Sequence, residues 1–343
     1  MTVPDTLDQD RRELVELTDD LLGRHCDLDF LRARIDDGTA HTPGLWGRLA
    51  ETGLVSALVA EEHGGAGLTP AHLSGVLHSL GRHAVPEPYL ETAVLAVSVL
   101  GALPGPVADT WLPRIAAGEA IAVVRLEDLT PLVPYAVDAD LVLDLAADGS
   151  IRAFAREETE VAPVAALDPL RPLARVTPVG EGALMGHDGA VVARTRSLAL
   201  AGAACLLAGA SQRLLELTVE YVAVREQFGR PVGSFQAVKH KAADLAVLVD
   251  MATAAALSAF DAVDEPDGSR RAAAAKAYAG DAAARANVDA LQLHGGIGFT
   301  WEYHLHLWLK RVMGLAASYG TTTALRRDLA RELLARVTEE RRG

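Results

Sequence analysis

The stretch Arg225–Gln236, REQFGRPVGSFQ, ends one helical segment and starts another almost at once. Gly229 supplies a left-handed cap, and Pro231 cannot continue helical hydrogen bonding. A bare turn between helices needs no more than that. Arg225, one turn before the glycine, and Phe228 beside it are extra, and polar and aromatic groups placed at a helix end point to a ligand. Working outward, apolar residues recur at helical spacing over about 197–225, 234–263, 268–294 and 322–340, four segments joined by short connections, the makeup of a helix bundle. DEPDGSRR (Asp264–Arg271) is one solvated connection, and no internal repeat occurs.

Upstream, two other textures precede the bundle. From Asp8 to Gly118 the pattern is helical, with Leu45, Leu49, Leu54 and Ala57 spaced for one face and breaks expected at Gly81 and Pro86–Pro88. Between Ile121 and Val192, short β-branched or alternating pieces, AIAVVRLEDL, DADLVLDLAADGSIRAF, RPLARVTPV and GAVVAR, are divided by Pro, Gly and Asp and read as strands of a small β-domain. The expected fold is mainly α, with an N-terminal helical domain over 1–118, a reduced middle β-domain over 119–192 and a C-terminal four-helix bundle over 193–343.

Composition narrows the function. The 343 residues carry 46 Asp and Glu against 32 Lys and Arg, a net charge of −14, which argues against a nucleic-acid partner and leaves no basic stripe for a membrane. Lysine occurs only at 239, 241, 276 and 310, so the basic residues are nearly all arginine. The two cysteines, Cys26 and Cys205, lie far apart in helical patterns, against a disulfide framework or zinc site and in keeping with a reducing cytoplasm. The acidic start lacks the order of a signal peptide, and the uncharged run Ser197–Gln212 is short for a bilayer span, so a cytoplasmic protein without a membrane segment is expected. His304 and His306 stand two apart on a helical pattern and do not face each other, so no metal site is expected.

The three-zone order resembles the acyl-CoA dehydrogenase family. LVAEEHGGAGL (Leu58–Leu68) is similar to its N-terminal acidic, Gly-rich loop, with Ala60 where a proline is usual; REQFGRPVGSFQAVKHKAADL and LQLHGGIGFTWE (Leu291–Glu302) resemble its two most recognisable C-terminal segments. The resemblance implies flavin adenine dinucleotide (FAD) at a subunit interface, its ring held by one subunit's β-domain and its ADP half by the neighbour's bundle. It places Arg225 on the pyrophosphate, Phe228 beside the adenine, Gln292, Gly295 and Gly296 in backbone-close contact, and Thr321 of the Gly-Thr pair on the cofactor. A guanidinium fork suits phosphate oxygens, and glycines admit close backbone approach. Gly295-Gly296-Ile297-Gly298 fails as a Rossmann fingerprint because a helix, not a strand, precedes it.

The resemblance also shows what is missing. The family abstracts an α-proton from an acyl-CoA thioester with a glutamate while the β-hydride goes to the flavin. The usual place for that base, just before Gly-Thr, holds Tyr319, and the alternative place early in the first bundle helix is empty, since no Asp or Glu occurs from Gly189 to Arg213. A phenol of pKa about 10 is ionised about one part in a thousand at pH 7, a penalty of roughly 4 kcal/mol; Lys310 and Arg311 are the cations near in sequence that would lower it. The ring-holding loop is reduced to RLEDLTPLVPYAVDAD (Arg125–Asp140), and no Trp occurs between Trp111 and Trp301. Such a chain resembles the short subunits of actinobacterial heteromeric α2β2 acyl-CoA dehydrogenases of steroid breakdown, in which a partner supplies the glutamate. Two other readings stand beside it: a self-sufficient homomer with Glu302 or Tyr319 as base, and a non-dehydrogenating or structural member of the fold. The expected partners are an acyl thioester, a second dehydrogenase subunit and an electron-accepting flavoprotein.

Overall fold

A computed structural model describes residues 6–126 and 129–340. Glu127 and Asp128, the acidic pair of the reduced loop, lie outside the described residues, as do the first five residues and the basic end of the chain.

The N-terminal domain is built from α1 (Thr6–His25), α2 (Leu28–Asp36), α3 (Pro43–Glu51), α4 (Ser74–Arg82), α5 (Val97–Ala102) and α6 (Pro106–Ala116). Helix α2 starts where the Asp27 carboxylate accepts the Phe30 N–H, and α3 where the Thr42 hydroxyl accepts that of Leu45 with Pro43 in the first turn, the side-chain capping that orphan N–H groups need. Leading into α5, Leu90–Ala96 is a fully buried π-helical segment. Such wide turns concentrate at functional sites, and this one carries Glu91 into the interior, 3% exposed.

Two small sheets follow. Strands β1 (Ala122–Leu126), β2 (Val133–Pro134), β3 (Leu141–Leu145), β4 (Ser150–Ala155), β5 (Thr159–Val164), β6 (Leu173–Pro178) and β7 (Ala183–His187) form one sheet in the order β1-β3-β4-β7 and another in the order β2-β6-β5. β1 and β3 run parallel, with Ala122 opposite Leu141; the remaining pairs of both sheets are antiparallel.

The chain ends in α7 (Gly189–Val224), a two-residue ribbon β8 (Glu226–Gln227) and β9 (Arg230–Pro231), then α8 (Gln236–Asp261), α9 (Gly268–His294), α10 (Leu305–Ala317) and α11 (Thr322–Glu340). Helix α7 is the axis of the molecule, packing on α9, α8, α10 and, across the domain boundary, α4. Its crossing with α4 is close enough that a Cβ at Gly81 would strike the Leu206 carbonyl and one at Gly209 the His78 carbonyl. Gly81, expected from sequence as a break, is therefore a helical residue selected for backbone approach. Helices α7 and α8 are both long and apolar enough to cross a bilayer by composition alone, but 83% of α7's most apolar window is buried in protein, against 33% for α8. α7 is thus a core helix, and α8 turns Val247 and Met251 outward.

One further expectation changes. GAVVAR, expected as a strand, is the first turn and a half of α7: Asp188 caps it by accepting from Ala190 and Val191 N–H at 2.8 and 3.1 Å, and a short apolar run does not distinguish strand from helix by periodicity. The four expected bundle helices are present as α7, α8, α9 and α11, and a shorter helix, α10, packs on both α7 and α9 before α11 packs on α9.

Candidate functional site

The sequence-predicted residues fall in two places. At one end of the bundle, α7 and α9 finish side by side, with Tyr221 stacked on His294 at 4.5 Å between ring centroids. Arg225 stands at the end of α7; its carbonyl accepts the Val232 N–H at 2.7 Å, while its exposed guanidinium has no protein partner among the described residues. Phe228 and Gly229 form the tip of the β8–β9 ribbon with φ of 53° and 76°. Positive φ at both positions is the type I′ hairpin, which favours Asn-Gly; a bulky aromatic at the first is an outlier to be read as functional. The Phe228 ring is 92% exposed, touched edge-on by Phe235 at 6.3 Å.

Gln292 and the two glycines complete this end. The Gln292 carbonyl oxygen accepts from Lys241 Nζ at 2.6 Å, and the same ammonium reaches Asp289 Oδ1 at 2.8 Å. That fixes the amide by its oxygen and leaves its NH2 group free to donate. Gly295 ends α9 at φ 64°, and a Cβ at either Gly295 or Gly296 would meet nothing within 4 Å. Open backbone, a free guanidinium, a free amide and a displayed aromatic make a surface suited to an anionic, aromatic ligand.

Tyr319 and Thr321 are elsewhere. Lys276, which contacts the Gly320 carbonyl, precedes Gln292 by sixteen residues of α9, about 24 Å of helix at 1.5 Å per residue. Thr321 caps α11, its hydroxyl accepting the Ala324 N–H at 3.3 Å. Tyr319 is 1% exposed with φ 55°. Its hydroxyl donates to Glu91 Oε1 at 3.1 Å, and that oxygen also receives Arg171 Nη2 at 2.7 Å. Arg171 Nη1 donates to Ser318 Oγ at 2.9 Å. The cations suggested by sequence proximity do not serve: Lys310 lies 4.2 Å over the Trp301 ring, and Arg311 is bound to Asp168 at 2.5 Å. Trp308 is buried with its indole N–H on the Arg82 carbonyl, whereas Trp301 is exposed and stacked on His306.

The electrostatics of this junction oppose base chemistry at Tyr319. Burial pushes its phenol well above the ordinary value, and the neighbouring Glu91 charge adds to the rise. Glu91 itself is sequestered: besides Arg171 and Tyr319 it faces only a void of about 20 Å³ shared with Tyr135 and Arg311. On the other side of Tyr319, a cavity of about 220 Å³ is lined by Thr130, Leu132, Leu167, Arg171, Met313 and Tyr319. Below, Lys276 is pulled down to about 7, mainly by burial and secondarily by Arg171. No cluster of three metal-ligating side chains occurs among the described residues, and both cysteines are free and buried.

Comparison with known proteins decides the family. Residues 8–119 match the profile of the acyl-CoA dehydrogenase N-terminal domain and residues 188–334 that of its C-terminal domain. The chain belongs to the acyl-CoA dehydrogenase family. Acyl-CoA dehydrogenase IpdE2 of Mycobacterium tuberculosis is 35% identical over 90% of this chain and 92% of its own length, and IpdE2 of Mycolicibacterium smegmatis 34% over 95% and 100%. FadE34 of M. tuberculosis is 35% identical over 79% of this chain but only 39% of its own length. The fold matches the ChsE4-ChsE5 complex of M. tuberculosis with a TM-score of 0.87 at 24% identity, covering 97% of this chain and 98% of that one, and the Tcur3481-Tcur3483 steroid dehydrogenase variant with 0.88 at 24%, covering 97% and 99%.

FAD is therefore the cofactor of this dehydrogenase, and the two regions fit it unequally. The bundle end, with its displayed ring and open glycines, fits the adenine and pyrophosphate half. The junction offers less to the ring half: its cavity is about 220 Å³, and the charged groups beside it, Arg171 with Glu91 and Arg311 with Asp168, are already paired. Sequence reading missed Glu91, Arg171, Asp168 and the place of Lys276, and named Arg311 only as a cation near Tyr319. Two carried a signal: Glu91 is the only charge between Glu87 and Asp109, and Lys276 is one of four lysines in an arginine-rich chain.

Proposed function

We propose that this chain is the base-less subunit of a heteromeric acyl-CoA dehydrogenase. Arg225, Phe228, Gln292, Gly295 and Gly296 would hold the ADP half of an FAD whose ring and catalytic glutamate belong to a second dehydrogenase subunit. When bound, the flavin would supply hydride acceptance, with an electron-accepting flavoprotein as the partner that would reoxidise it. This chain's own contribution is recognition: the Arg225 fork takes phosphate oxygens, the Phe228 face stacks on the adenine, and the Gln292 amide donates.

The observation that carries the reading is the state of Tyr319, a buried neutral phenol that donates its hydrogen bond to Glu91 at the place of the missing carboxylate. It also weighs against a homomer with an unusual base, since Glu302 is exposed at the opposite end of α10 and Glu91 has no substrate-sized space. The relatives give further support: structural neighbours include two-component complexes, and well over half of FadE34 lies outside the matched region, enough for a second such unit. The steroid dehydrogenase among the structural neighbours supports a steroid-derived acyl-CoA as the favoured substrate class.

The test is to express the chain alone and together with a dehydrogenase subunit that has glutamate before Gly-Thr, then assay flavin content and acyl-CoA oxidation. Oxidation only in the co-expressed pair is expected. Ordinary turnover by the lone chain would contradict the proposal.

A further inference from the structure

At the junction, single side chains tie three domains together. Glu91 comes from the N-terminal domain, Arg171 from the β-domain and the Ser318–Tyr319 turn from the bundle, and Arg171 binds both others, Glu91 at 2.7 Å and Ser318 at 2.9 Å. A second arginine repeats the arrangement from the opposite direction. Arg311, on α10, donates to Asp168 Oδ2 at 2.5 Å and the Leu170 carbonyl at 3.2 Å in the β-domain, and to the Val85 carbonyl at 2.8 Å in the N-terminal domain. Arg171, Glu91, Asp168 and Arg311 are each no more than 4% exposed.

The turn is held from α9 as well. Lys276 Nζ donates to the Ala316 carbonyl at 3.2 Å and the Gly320 carbonyl at 3.4 Å, one on each side of Tyr319. Two acceptors match the two N–H groups of a neutral amine, whereas an ammonium would bury a third donor beyond them. The conformation held in this way is a costly one. Tyr319 has φ 55° and Gly320 φ 105°, and a left-handed non-glycine costs about 1–2 kcal/mol and persists where its surroundings over-determine it. Those surroundings lie wholly within the chain.

We propose that Arg171 is a positioning residue which, with Glu91 and Lys276, clamps the 316–320 turn in the absence of any ligand and so sets the place of Thr321 at the start of α11. The idea rests on the base-less reading for its purpose: a chain without its own reaction site keeps, by internal ion pairs, a shape otherwise dependent on what binds there. Arg171 touches no reacting atom and acts through Ser318, Glu91 and the Tyr319 ring, whose centroid lies 5.8 Å from its guanidinium.

Segment-resolved hydrogen exchange on the full chain, purified without flavin, tests this. Arg171→Leu is expected to speed exchange at least tenfold in 89–96, 165–173 and 315–321 together. Ser318→Ala, which removes the handle on the bundle together with one local bond to the Gly314 carbonyl, is expected to speed 315–321 alone and leave the melting temperature near that of the parent. Should Arg171→Leu fail to fold, Ser318→Ala and Lys276→Met still decide. Unchanged exchange at 315–321 in all three variants, or a uniform rise across the chain in Ser318→Ala, would overturn the clamp. Because no flavin is present, this outcome is independent of the flavin content and turnover that test the base-less reading.

Discussion

The two ends of the bundle contrast in how their polar groups are used. Around Tyr319 each buried charged side chain is paired or hydrogen-bonded inside the chain, beside a cavity of about 220 Å³ and a void of about 20 Å³. Around Phe228 the aromatic ring is 92% exposed and the Arg225 guanidinium is free of protein partners among the described residues. One region has satisfied itself and the other has left its bonding capacity open. On the proposed function, a dehydrogenase fold divided in this manner would have kept the half that serves a neighbour and filled the half that would serve itself.

The contrast can be broken first at the junction. Glu91→Ala leaves Arg171 as a buried charge without its carboxylate, and loss of one partner of a buried pair costs roughly 3–5 kcal/mol; urea unfolding of the full chain should show it. Replacing both, Glu91→Leu with Arg171→Leu, should recover much of that loss, as apolar substitutes for a buried pair often do.

Next in size is a pH effect. Lys276 has a folded pKa of about 7, below the unfolded lysine value. The unfolded chain therefore binds more protons between the two values, and stability rises with pH from about 7 towards 10, by a few kcal/mol in order of magnitude. Below pH 7 this contribution is flat. Lys276→Met should remove the slope, which denaturant titrations at stepped pH would reveal.

At the open end the same size of truncation should act on the ligand and spare the fold. Phe228→Ala and Arg225→Ala are expected to leave stability within about 0.5 kcal/mol, as surface changes do. Each should weaken FAD retention by the co-expressed pair tenfold or more, equivalent to about 1.4 kcal/mol. Loss of stability without loss of flavin would reverse the assignment of the two regions. The smallest effect is expected from Tyr319→Phe, about 1 kcal/mol for one hydrogen bond, with no change in any catalytic rate of the pair. A large loss of turnover would restore Tyr319 as a base.

How legible these regions were in the sequence follows from the range of their contacts. REQFGRPVGSFQ is local, so its helix stop, turn and restart are encoded within twelve residues, and the structure places them as read, with Phe228 at the tip. The junction is non-local: Tyr319 meets Glu91 across 228 positions and Arg171 meets Glu91 across 80. Periodicity carries no information at that separation, so the empty base seat was readable while what fills it was not. GAVVAR failed for a different reason. Its β-branched pair suits a strand, and only the Asp188 cap with the burial of α7 makes it helical. Gly81 looked like a break because a glycine's use for close approach depends on Leu206 of another helix.

The most direct test of the division between the two ends is flavin per chain, by visible absorbance, on this protein purified alone and with a glutamate-bearing partner. Little or no flavin in the lone chain, with flavin retained by the pair, is the expected result. Near one flavin per lone chain would contradict the account, because it would mean that this chain builds a whole flavin pocket by itself.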